Sequence, residues 1–462
     1  MSTYTASKIR YFILGLGRTG KAVCEFLLRQ GKDVFIYDDY PTEEMKDLEQ
    51  LGARWVSIDP MPSFLSTDIC IVSPGVPVHF PQPHPFVRYA REQGISVIGD
   101  VEFYFQYVAP KTSVIGVTGT NGKSTTCSLI AHLFNNMGIE YVAAGNIGLP
   151  ICTLEGDHNL VLELSSYQLE LTFSEILECA VLLNISKDHL AHHGTMEAYI
   201  EAKRRIFSLL KPEGTTIIAV DDPHTQALFL DLKQNMSSKA RKIIPIALTP
   251  LHEPGIFVEK GCLVDTFFER GQEILDLSGM LHLKGSHNWQ NIACAYAVLR
   301  SSPYENMKEV FLQGIHSFPG VAHRQQFVRT VRRITFINDS KATNFDAASK
   351  ALDVFDHIYW LVGGQKKDTD TDIGLFTPYQ HKIQKIFCFG HDRDFFQKHL
   401  SQLAPVASYQ TLKEAFHAAV SVACQDPQES SVLLSPACAS FDAFENFEQR
   451  GCYFQQLVEQ VT

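Results

Sequence analysis

The sequence predicts an α/β protein with three domains, each built around a mainly parallel sheet. Its 462 residues correspond to about three domains of ~150 residues each. Short apolar runs alternate with apparent helices, which is the pattern of parallel strands joined by helical crossovers. Several of these apolar runs end directly in glycine-rich or polar residues, as expected where parallel strands meet ligand-binding loops.

The composition is that of a folded protein, with 45% hydrophobic and 20% charged residues, so we expect a hydrophobic core rather than disorder. The chain has 40 Lys and Arg residues against 51 Asp and Glu residues, and its net charge is −11. An acidic chain is a poor non-specific binder of nucleic acid, because phosphates attract clustered Lys and Arg. We therefore expect small-molecule substrates and no nucleic acid.

The 11 cysteines are scattered and none belongs to a Cys-x-x-Cys pair, which argues against a thiolate zinc site of that spacing. Scattered cysteines without a secretion signal favour reduced thiols and hence a cytoplasmic location. The short apolar run near the N-terminus turns straight into a glycine loop, so we expect a first strand there. No apolar run approaches the ~18 residues that cross a bilayer, so we expect no membrane insertion.

The first predicted domain, residues 1–109, begins with a strand, a glycine turn and a helix. Gly15, Gly17 and Gly20 follow the strand, and Asp38 ends the next one. This spacing is a dinucleotide-fold fingerprint, which predicts a pyrophosphate at the helix N-terminus. Both NAD and a UDP group contain such a pyrophosphate, so the fingerprint does not distinguish between them. The predicted elements are the strand Arg10–Leu14, the helix Gly20–Gln30, and the strands Asp33–Tyr37 and Asp68–Val72.

The second predicted domain, residues 110–320, contains a phosphate loop, GTNGKST, at 119–125. The loop lies between a predicted strand and a predicted helix, where backbone N–H groups face phosphates. Lys123 would hold the β- and γ-phosphates, and the Ser124 hydroxyl would bind magnesium. Val117 stands where the strict pattern has Gly, and a chance Gly-Lys-Ser turn is the alternative. The predicted elements are strands Ser113–Val117, Leu160–Leu164 and Ala180–Asn184, and helices Ser124–Met137, Met196–Leu210 and 283–299.

Three further polar residues of this domain are candidates for the site, and each could instead have a purely structural role. Glu163 lies near the carboxyl end of an apolar strand, where an unpaired carboxylate is costly to bury. It would meet a magnesium ion opposite Ser124, or it would form a structural salt bridge. His189 follows another strand and could be a hydrogen-bonded surface residue. Lys203 could belong to the solvated face of a basic helix.

Two amides and an arginine are candidates for nucleotide binding. Asn288 and Asn291 open an apparent helix, where they could contact an adenine edge or cap the helix. Arg324, at the start of the third segment, suits phosphate oxygens, although a surface arginine is the ordinary alternative.

The third predicted domain, residues 321–462, has three polar loops that follow strands. They are NDSKATN at 338–344, the loop after Gly363-Gly364, and SPACASFDAFENFEQRG at 435–451. Such loops are where open α/β sheets bind ligands. Lys341 and Lys367 would suit a dicarboxylic substrate. The predicted strands are Thr335–Asn338, His357–Gly363, Lys385–Gly390 and Ser431–Ser435.

Taken in order along the whole chain, these motifs resemble those of the Mur ligase family. The resemblance includes GTNGKST, GNIG at 145–148, ELSSYQLE at 163–170, the loop with His189, the helix with Lys203 and the helix with Asn288. The three loops of the third segment resemble the branch of the family that adds D-glutamate. Several independent motifs in one order make coincidence a poor explanation.

The resemblance implies an ATP-dependent ligase of peptidoglycan precursor synthesis, which serves cell-wall biogenesis, cell shape and cell division. It implies that D-glutamate is joined to UDP-N-acetylmuramoyl-L-alanine through an acyl phosphate, which closure of the third domain would keep from water. The implied architecture is a Rossmann-like UDP-binding domain, a P-loop-like ATP-binding domain and a Rossmann-like amino-acid-binding domain. We expect a monomer.

The resemblance also assigns site residues, with Lys123, His189 and Lys203 as catalytic candidates. It implies two magnesium ions, one held by Ser124 and Glu163 and one by His189 and a carbamylated Lys203, since a carbamate offers the anionic oxygen that Mg²⁺ prefers. The ATP-binding candidates are Gly119, Thr120, Asn121, Gly122, Lys123, Ser124, Thr125, Asn288, Asn291, Arg324 and Asp339. The candidates for the UDP substrate are Gly15, Gly17, Arg18, Thr19, Gly20, Asp38, Ser73, Pro74, Gly75, Asn146 and His189. The D-glutamate candidates are Lys341, Thr343, Lys367, Ser440, Phe441 and Phe447.

Two loops depart from the family pattern. The loop DHLAHHG at 188–194 has Ala191 and His192 where the family more often has Asp and Arg. Asp368 stands where the family tends to have Gly. These departures bear on the details of both loops.

Four alternatives to this function are open at this point. A sister ligase or a folate polyglutamate synthase would share the phosphate loop, Glu163 and His189, but the motifs of the third segment argue against both. An NAD-dependent oxidoreductase would explain Gly15 to Gly20 and leave GTNGKST without a role. A catalytically inactive homologue that only binds ligands is disfavoured, because every expected polar residue is present.

Overall fold

A computed structural model describes residues 9–64, 68–108, 112–146, 148–235, 242–269, 271–280, 283, 285–366 and 372–462. The chain forms two compact units, one of Met1–Leu277 with Trp289–His316 and the other of Ser278–Asn288 with Ser317–Thr462. Among the described residues, no helix is both long and apolar enough to cross a membrane.

The first sheet of the first unit is entirely parallel and has the strand order β3-β2-β1-β4-β5. Its strands are β1 (Arg10–Leu14), β2 (Asp33–Tyr37), β3 (Arg54–Trp55), β4 (Ile69–Val72) and β5 (Ser96–Ile98). The helices are α1 (Arg18–Arg29), α2 (Glu43–Gln50), α3 (Pro85–Glu92) and α4 (Asp100–Phe103), the last followed by a π-helical turn at Tyr104–Val108.

The strand order of this sheet creates a binding crevice. The chain leaves β1 towards β2 on one side, and the later strand β4 lies on the other side of β1. The loops that follow β1 and β4 therefore part at the carboxyl edge of the sheet. In open α/β sheets this switch point is where ligands bind.

The second sheet has nine strands in the order β14-β13-β12-β11-β10-β9-β6-β8-β7 and is parallel except for the β12-β13-β14 edge. Its strands are β6 (Val114–Thr118), β7 (Tyr141–Gly145), β8 (Asn159–Glu163), β9 (Leu177–Leu182), β10 (Leu210–Ala219), β11 (Ile243–Ala247), β12 (Ile256–Glu259), β13 (Cys262–Asp265) and β14 (Gln272–Asp276). The α-helices are α5 (Lys123–Asn135), α6 (Ser166–Glu170), α7 (Leu190–His193), α8 (Met196–Arg204), α9 (Pro223–Asn235), α10 (Ser286–Ser301) and α11 (Met307–Gly314). Short 3₁₀ helices cover Ile151–Thr153, Arg205–Leu209 and Ile315–Ser317.

The central strand β6 fixes the position of the polar loops of this sheet. All five of its residues are buried, and β8 and β9 pair with it in parallel on either side. A strand covered on both faces can be continuously apolar, which β6 is. Because the three strands run in the same direction, the loops that follow them meet at one edge.

The two sheets of the first unit share one hydrophobic core. Val23 and Leu27 of α1 and Phe103 of α4 belong to the same buried cluster as Ile151 and Leu154 from the second sheet's side. Burial of such side chains stabilises by roughly 1.5–3 kcal/mol each. This common core explains why the first two sheets form one unit.

The second unit contains a six-stranded sheet in the order β15-β16-β20-β17-β18-β19, in which only the β15-β16 pair is antiparallel. Its strands are β15 (Gln326–Val331), β16 (Ile334–Asn338), β17 (Ile358–Gly363), β18 (Ile383–Phe389), β19 (Val406–Ser408) and β20 (Ser430–Leu434). The helices are α12 (Phe345–Val354), α13 (Arg393–Leu400), α14 (Leu412–Ala423) and α15 (Phe447–Glu459), with a 3₁₀ helix at Ile373–Lys382. Separate buried clusters cover its two faces.

The prediction of three α/β domains with mainly parallel sheets is confirmed, and the exact domain boundaries stay predictions. The C-terminal bound predicted for the helix Met196–Leu210 was wrong. The α-helix α8 stops at Arg204, a 3₁₀ helix follows, and Leu210 begins β10. Ile206, Phe207 and Leu209 are buried in this tighter turn, so packing overrides the helical pattern.

Candidate functional site

The phosphate loop joins β6 to α5 through two glycines with positive φ. Gly119 has a φ of +155° and Gly122, which caps α5, has a φ of +85°. A Cβ at Gly122 would overlap Oδ1 of Asn291, so the loop passes where only glycine fits. The N-terminus of a 13-residue helix lies directly behind it. This arrangement suits phosphate oxygens, because the helix dipole and the first N–H groups attract anions.

Lys123 folds back over the loop that precedes it. Its Nζ donates to the carbonyl of Gly119 at 2.9 Å and to that of Thr120 at 2.8 Å. The ammonium group therefore lies at the mouth of the loop, where it would meet a polyphosphate.

Ser124 and Glu163 lie side by side beneath the loop. The Ser124 hydroxyl donates to Oε2 of Glu163 at 2.7 Å, and the Asn146 amide donates to Oε1 at 2.8 Å. Both Ser124 and Glu163 are buried, with 4% and 3% of their surface exposed. A hydroxyl and a buried carboxylate are oxygen ligands of the kind that Mg²⁺ prefers, so this pair fits the ion. Ser124 and Asn146, which donate to the Glu163 carboxylate, are both neutral, and a structural salt bridge of Glu163 is not observed among the described residues.

Lys203 is a buried lysine beneath the same loop. Its residue is 2% exposed, and its Nζ donates to the Gly119 carbonyl at 2.8 Å. The ammonium also lies 4.8 Å from the centre of the Tyr199 ring. Burial lowers the pKa of Lys203 well below its ordinary value, and the nearby Lys123 lowers it further, although Asp188 and Glu163 oppose them. The solvated-face alternative for Lys203 is therefore wrong, and the lowered pKa makes the neutral amine more accessible than in an exposed lysine.

His189 caps the short helix α7 in a left-handed conformation, with a φ of +52°. Its Nδ1 lies 3.1 Å from the Tyr167 hydroxyl, and its Nε2 lies 3.3 Å from a carboxylate oxygen of Asp188. The pKa of His189 is lowered, chiefly by burial; Asp188 opposes this, and Lys203 and Lys123 add to it. A neutral imidazole is the form that binds a metal ion.

The remaining loop residues belong to the same region of the first unit. The hydroxyl oxygens of Thr120 and Tyr199 lie 3.1 Å apart, within hydrogen-bonding distance. Thr125 is buried in the first turn of α5. Thr126 donates to Oδ1 of Asn291 at 3.2 Å, which brings α10 against the loop.

The first sheet carries a second glycine loop, between β1 and α1. The Ser73 hydroxyl donates to the Gly15 carbonyl at 2.6 Å, and a Cβ on Gly20 would overlap that carbonyl. Asp38, at the end of β2, accepts a hydrogen bond from the Leu16 N–H at 2.6 Å. The loops after β1, β2 and β4 are thus tied together at the switch point.

The other candidates for binding the UDP substrate lie at the N-terminus of α1 and in the turn after β4. Gly17 is the N-cap residue of α1, and Arg18 and Gly75 are exposed. Arg18 donates to the carbonyl of Gly148, which follows β7 in the second sheet. Thr19 and Pro74 are partly buried.

Asp339 is the most perturbed carboxyl group of the second unit. It follows β16, is 4% exposed, and accepts from the Ser435 hydroxyl at 2.7 Å and the Gln325 N–H at 3.0 Å. Burial raises the pKa of Asp339 to about 7, while these hydrogen bonds and the Arg324 charge act in the opposite direction. Asn288 belongs to this unit and is buried; Asn291, one turn further along α10, belongs to the first unit.

The loop after β16 carries Lys341 and Thr343. The Lys341 ammonium lies 5.7 Å from the centre of the Phe447 ring, and the Lys341 N–H donates to the His323 carbonyl at 2.9 Å. The Thr343 N–H donates to the Lys341 carbonyl at 2.9 Å. Lys341 and Phe447 are thus neighbours across two loops at the carboxyl edge of this sheet.

The loop after β20 carries Ser440 and Phe441. Ser440 is buried and its carbonyl accepts from the N–H groups of Ala443 and Phe444, whereas Phe441 is 71% exposed. An open cavity of about 540 Å³ is lined by Phe441, Asp442, Ala443, Phe444, Glu445 and Gln449. Lys367 lies outside the described residues.

Comparison with known protein families matches all three parts of the chain. Residues 9–99 match the Mur ligase MurD-like N-terminal domain, residues 117–299 the Mur ligase middle domain, and residues 323–438 the Mur ligase glutamate ligase domain. The UDP-N-acetylmuramoylalanine–D-glutamate ligase of Paramagnetospirillum magneticum is 38% identical over 457 residues, which cover 97% of this chain and 96% of that protein.

The chain belongs to the Mur ligase family. The ligase of the same name from Caulobacter vibrioides is 39% identical over 461 residues, which cover 97% of this chain and 95% of that protein. Among solved structures, the UDP-N-acetylmuramate-alanine ligase MurC from Thermotoga maritima has a TM-score of 0.57 at 18% identity and covers 98% of both chains. MurF from Acinetobacter baumannii has a TM-score of 0.56 at 18% identity and covers 79% of this chain and 82% of that one. These two structures establish the fold.

The family resemblance expected from the sequence is therefore confirmed, and it favours a ligase over an NAD-dependent oxidoreductase. Mur ligases use ATP with Mg²⁺. The N–H groups of the phosphate loop fit the phosphates of ATP, and the oxygen atoms of the Ser124–Glu163 pair fit Mg²⁺.

Sequence reasoning missed Arg450, which organises the loops of the second unit. It is 0% exposed, and its guanidinium donates to the Ser340 hydroxyl at 2.9 Å, to the Ser340 carbonyl at 2.8 Å and to the Cys438 carbonyl at 3.0 Å. Burial lowers the pKa of Arg450 to about 10. One side chain thus ties the loop after β16 to the loop after β20. Its position within FEQRG gave no signal, because a helical Arg is ordinarily exposed.

A chain of amide hydrogen bonds behind the phosphate loop was missed as well. The Asn184 side chain accepts from the Asn121 N–H at 2.9 Å and donates to Gln290 at 3.1 Å. Gln290 in turn donates to Asp221 at 2.7 Å. This chain links the loops after β6, β9 and β10 to helix α10.

The structure brings together two groups of candidates within the first unit. One group surrounds the phosphate loop; the other surrounds the first glycine loop. In the second unit the candidates cluster after β16 and β20. The group at the phosphate loop consists of Gly119, Thr120, Asn121, Gly122, Lys123, Ser124, Thr125, Asn146, Glu163, Lys203 and Asn291. The group at the first glycine loop consists of Gly15, Gly17, Arg18, Gly20, Asp38 and Ser73. The group in the second unit consists of Arg324, Asp339, Lys341 and Phe447.

Proposed function

We propose that the chain joins D-glutamate to UDP-N-acetylmuramoyl-L-alanine with hydrolysis of ATP, as a step of peptidoglycan precursor synthesis. The observation that carries the proposal is the set of relatives at 35–39% identity along at least 96% of the chain that bear the name of this ligase. The geometry of the first unit supports it, because a phosphate loop, a magnesium-type oxygen pair and a buried lysine converge there.

Lys123 and the backbone of Gly119–Thr125 would bind the triphosphate of ATP. The bent-back Lys123 ammonium already lies at the loop mouth, so little reorganisation is needed to meet the β- and γ-phosphates. Asn291 would approach the nucleotide from α10. In the second unit, Asn288, Arg324 and Asp339 are the candidates for the rest of the nucleotide.

Ser124 and Glu163 would hold one Mg²⁺ ion, and His189 with a carbamylated Lys203 would hold a second. When bound, the ions supply positive charge between the triphosphate and the acceptor carboxylate. Asn146 donates to Glu163 at 2.8 Å, which supports a role in orienting that carboxylate as well as the UDP substrate.

The carbamate at Lys203 follows from the state of its amine. A lysine buried to 98% favours the neutral, nucleophilic form. Attack of Nζ on carbon dioxide forms an N–C bond and releases one proton, which leaves an anionic carbamate oxygen. Such an oxygen could bind Mg²⁺, whereas an ammonium could not.

The UDP substrate would bind at the first glycine loop, through Gly15, Gly17, Arg18, Thr19 and Gly20. Asp38 with the Ser73–Gly75 turn would complete this site. Their convergence at the switch point of the first sheet supports this assignment.

D-glutamate would bind in the second unit, which is proposed to carry the amino acid. Lys341 and Lys367 offer charge for its two carboxylates, and Thr343, Ser440, Phe441 and Phe447 would complete the pocket. Lys341 beside the Phe447 ring supports this assignment. The proposed domain bounds are 1–109, 110–320 and 321–462, in a cytoplasmic monomer.

The proposed reaction has two steps. The alanyl carboxylate attacks the γ-phosphorus of ATP, the bond to the β–γ bridging oxygen breaks, and an acyl phosphate and ADP form, while Lys123 would stabilise the charge that develops on the phosphoryl oxygens. The amine of D-glutamate then attacks the acyl carbon and phosphate leaves. Water must be excluded between the steps, a role that closure of the amino-acid domain would fill.

Phosphate release from ATP tests this function. With UDP-N-acetylmuramoyl-L-alanine present, we expect turnover with D-glutamate and none with L-glutamate, L-alanine, glycine or a diamino acid. Turnover with a different amino acid would keep the ligase and remove the assignment of the second unit's loops. Absence of turnover with all of them would contradict the ligase itself.

A further inference from the structure

Two adjacent histidines and a glutamate form a compact cluster that the ligase reaction does not use. His192 and His193 end the short helix α7, and Glu170 ends α6. Nε2 of His192 lies 3.1 Å from one carboxylate oxygen of Glu170, and Nδ1 of His193 lies 3.3 Å from the other. One ligand atom from each residue lies within 4.8 Å of the other two.

His193 has a buried nitrogen without a hydrogen-bond partner. Its side chain is 0% exposed, and Nδ1 is not in hydrogen-bonding geometry with any described atom. Its other nitrogen, Nε2, lies 2.9 Å from the Ser166 hydroxyl oxygen. A proton on Nε2 that is donated to Ser166 leaves a lone pair on Nδ1, which faces Glu170. A buried polar atom left unsatisfied in this way is costly unless a ligand satisfies it.

We propose that Glu170, His192 and His193 form a binding site for a transition-metal dication of the Zn²⁺ class. Two imidazole nitrogens and one carboxylate oxygen are a donor set that suits zinc and its neighbours, whereas Mg²⁺ prefers oxygen ligands alone. Water would complete the tetrahedral coordination. The Ser166 hydroxyl would fix the orientation of His193, as the outer partners of metal-bound histidines do.

The site is separate from the oxygen pair of Ser124 and Glu163. Its residues lie on α6 and α7, and Tyr167 stands between it and His189. The Tyr167 ring lies 4.0 Å from the His192 ring, centre to centre, and its hydroxyl lies 3.1 Å from Nδ1 of His189. A metal bound here would cross-link α6 to α7 and restrain the turn that presents His189.

Access to the site is restricted but not closed. The side chains of His192 and Glu170 are 11% and 13% exposed, so an ion can enter past them while His193 stays buried. The three ligands are preorganised on packed elements, which lowers the cost of ordering them when the ion binds.

Zinc binding to the full-length protein tests the site. The exposed thiols Cys424 and Cys452 are first blocked by alkylation, and saturating Mg²⁺ is present, so that other groups compete weakly for zinc. Isothermal titration with Zn²⁺ should show one strong site. That affinity should fall by about tenfold or more in His192→Ala and in Glu170→Gln, while His252→Ala, at an exposed histidine, should bind as the parent does.

Cobalt substitution gives a second readout that does not depend on turnover. Co²⁺ should give the visible absorption of a tetrahedral complex in the parent and in His252→Ala, and this absorption should be lost in His192→Ala. Equal zinc affinity in the parent and both cluster variants would overturn the proposal. Loss of the strong site in His189→Gln, with the cluster variants unaffected, would place the metal at the ligase centre and overturn it as well. Circular dichroism of each variant checks that the fold is intact.

Discussion

The two glycine loops of the first unit share one local design but differ in charge. Each follows the central strand of a parallel sheet and opens a helix of 12 or 13 residues. In the first loop a carboxylate, that of Asp38, accepts the Leu16 N–H at 2.6 Å. In the second loop two lysines, Lys123 and Lys203, both donate to the Gly119 carbonyl, and the Glu163 carboxylate accepts from the Ser124 hydroxyl.

This difference decides which ligand each loop suits. A polyphosphate carries several negative charges and would be attracted by the Lys123 ammonium and the helix N-terminus of the second loop. In the first loop the Asp38 carboxylate already accepts the Leu16 N–H, and it can also accept hydrogen bonds from the hydroxyl or N–H groups of a nucleoside. The N-terminus of α1 would remain available to the pyrophosphate of the same ligand. On the proposed function, two loops with the same backbone plan would thus take different ligands, ATP and the UDP substrate, through a few side chains.

The largest expected effect comes from Lys203, the buried member of the lysine pair. We predict that Lys203→Ala lowers turnover on the order of 10³-fold, because the site loses a charged group that acts where charge develops. Acetate should partly restore turnover, since a short carboxylate can enter the cavity and replace the carbamate oxygens. Phosphate release with and without acetate measures both effects.

Lys211→Ala is the matched control, because Lys211 is an exposed lysine paired with Glu178 on the same sheet. Its turnover should stay close to that of the parent and should not respond to acetate. Absence of rescue in Lys203→Ala, together with an unmodified Lys203 by intact mass, would argue against the carbamate.

Lys123→Ala removes the partly buried member of the pair. We predict a loss of turnover of at least ~100-fold, the scale of one transition-state charge donor. The loss should appear mainly in kcat, with Lys233→Ala as an exposed control. Near-normal turnover of Lys123→Ala would remove the assignment of the phosphate loop.

A pair of glycine substitutions compares the backbones of the two loops. At Gly122 a Cβ would overlap Asn291 and the φ is +85°, so Gly122→Ala should destabilise the fold by about 1–3 kcal/mol and weaken ATP binding. At Gly17 a Cβ meets nothing within 4 Å and the φ is −62°, so Gly17→Ala should leave the melting temperature nearly unchanged. Thermal unfolding of both variants checks this, and equal destabilisation would contradict the comparison.

Local features of the fold could be read from the sequence, whereas contacts that depend on strand register could not. The bounds of β1 and β2 agree with the prediction, because each is a short apolar run between polar turns. The strands β12 to β15, which form the antiparallel pairs, were missed because they lack the strand–loop–helix pattern that marked the predicted strands. The parallel strands β3, β5, β7, β10, β11 and β19 were missed as well.

The same limit applies to the site residues. Ser124 and Glu163 could be paired in advance because the phosphate-loop motif marks Ser124 as a magnesium ligand, while Glu163 ends an apolar strand where a buried carboxylate needs a cation. The burial of Arg450 could not be foreseen, because it depends on two loops from distant parts of the second unit meeting around one helix. The contact of Glu170 with His192 and His193 likewise requires α6 and α7 to pack together.

The smallest effect expected from the comparison is at Asp38. Both of its carboxylate oxygens accept backbone N–H groups, from Leu16 at 2.6 Å and from Tyr40 at 2.8 Å, and an amide can replace only one of these acceptors. Asp38→Asn should therefore raise the KM for the UDP substrate by about tenfold, the scale of one hydrogen bond to a charged group, and leave the KM for ATP unchanged. Steady-state kinetics with each substrate varied in turn measures the two constants. Since the proposal assigns the UDP substrate to the first loop and ATP to the second, an equal rise in both KM values would show that the two loops do not divide the ligands in this way.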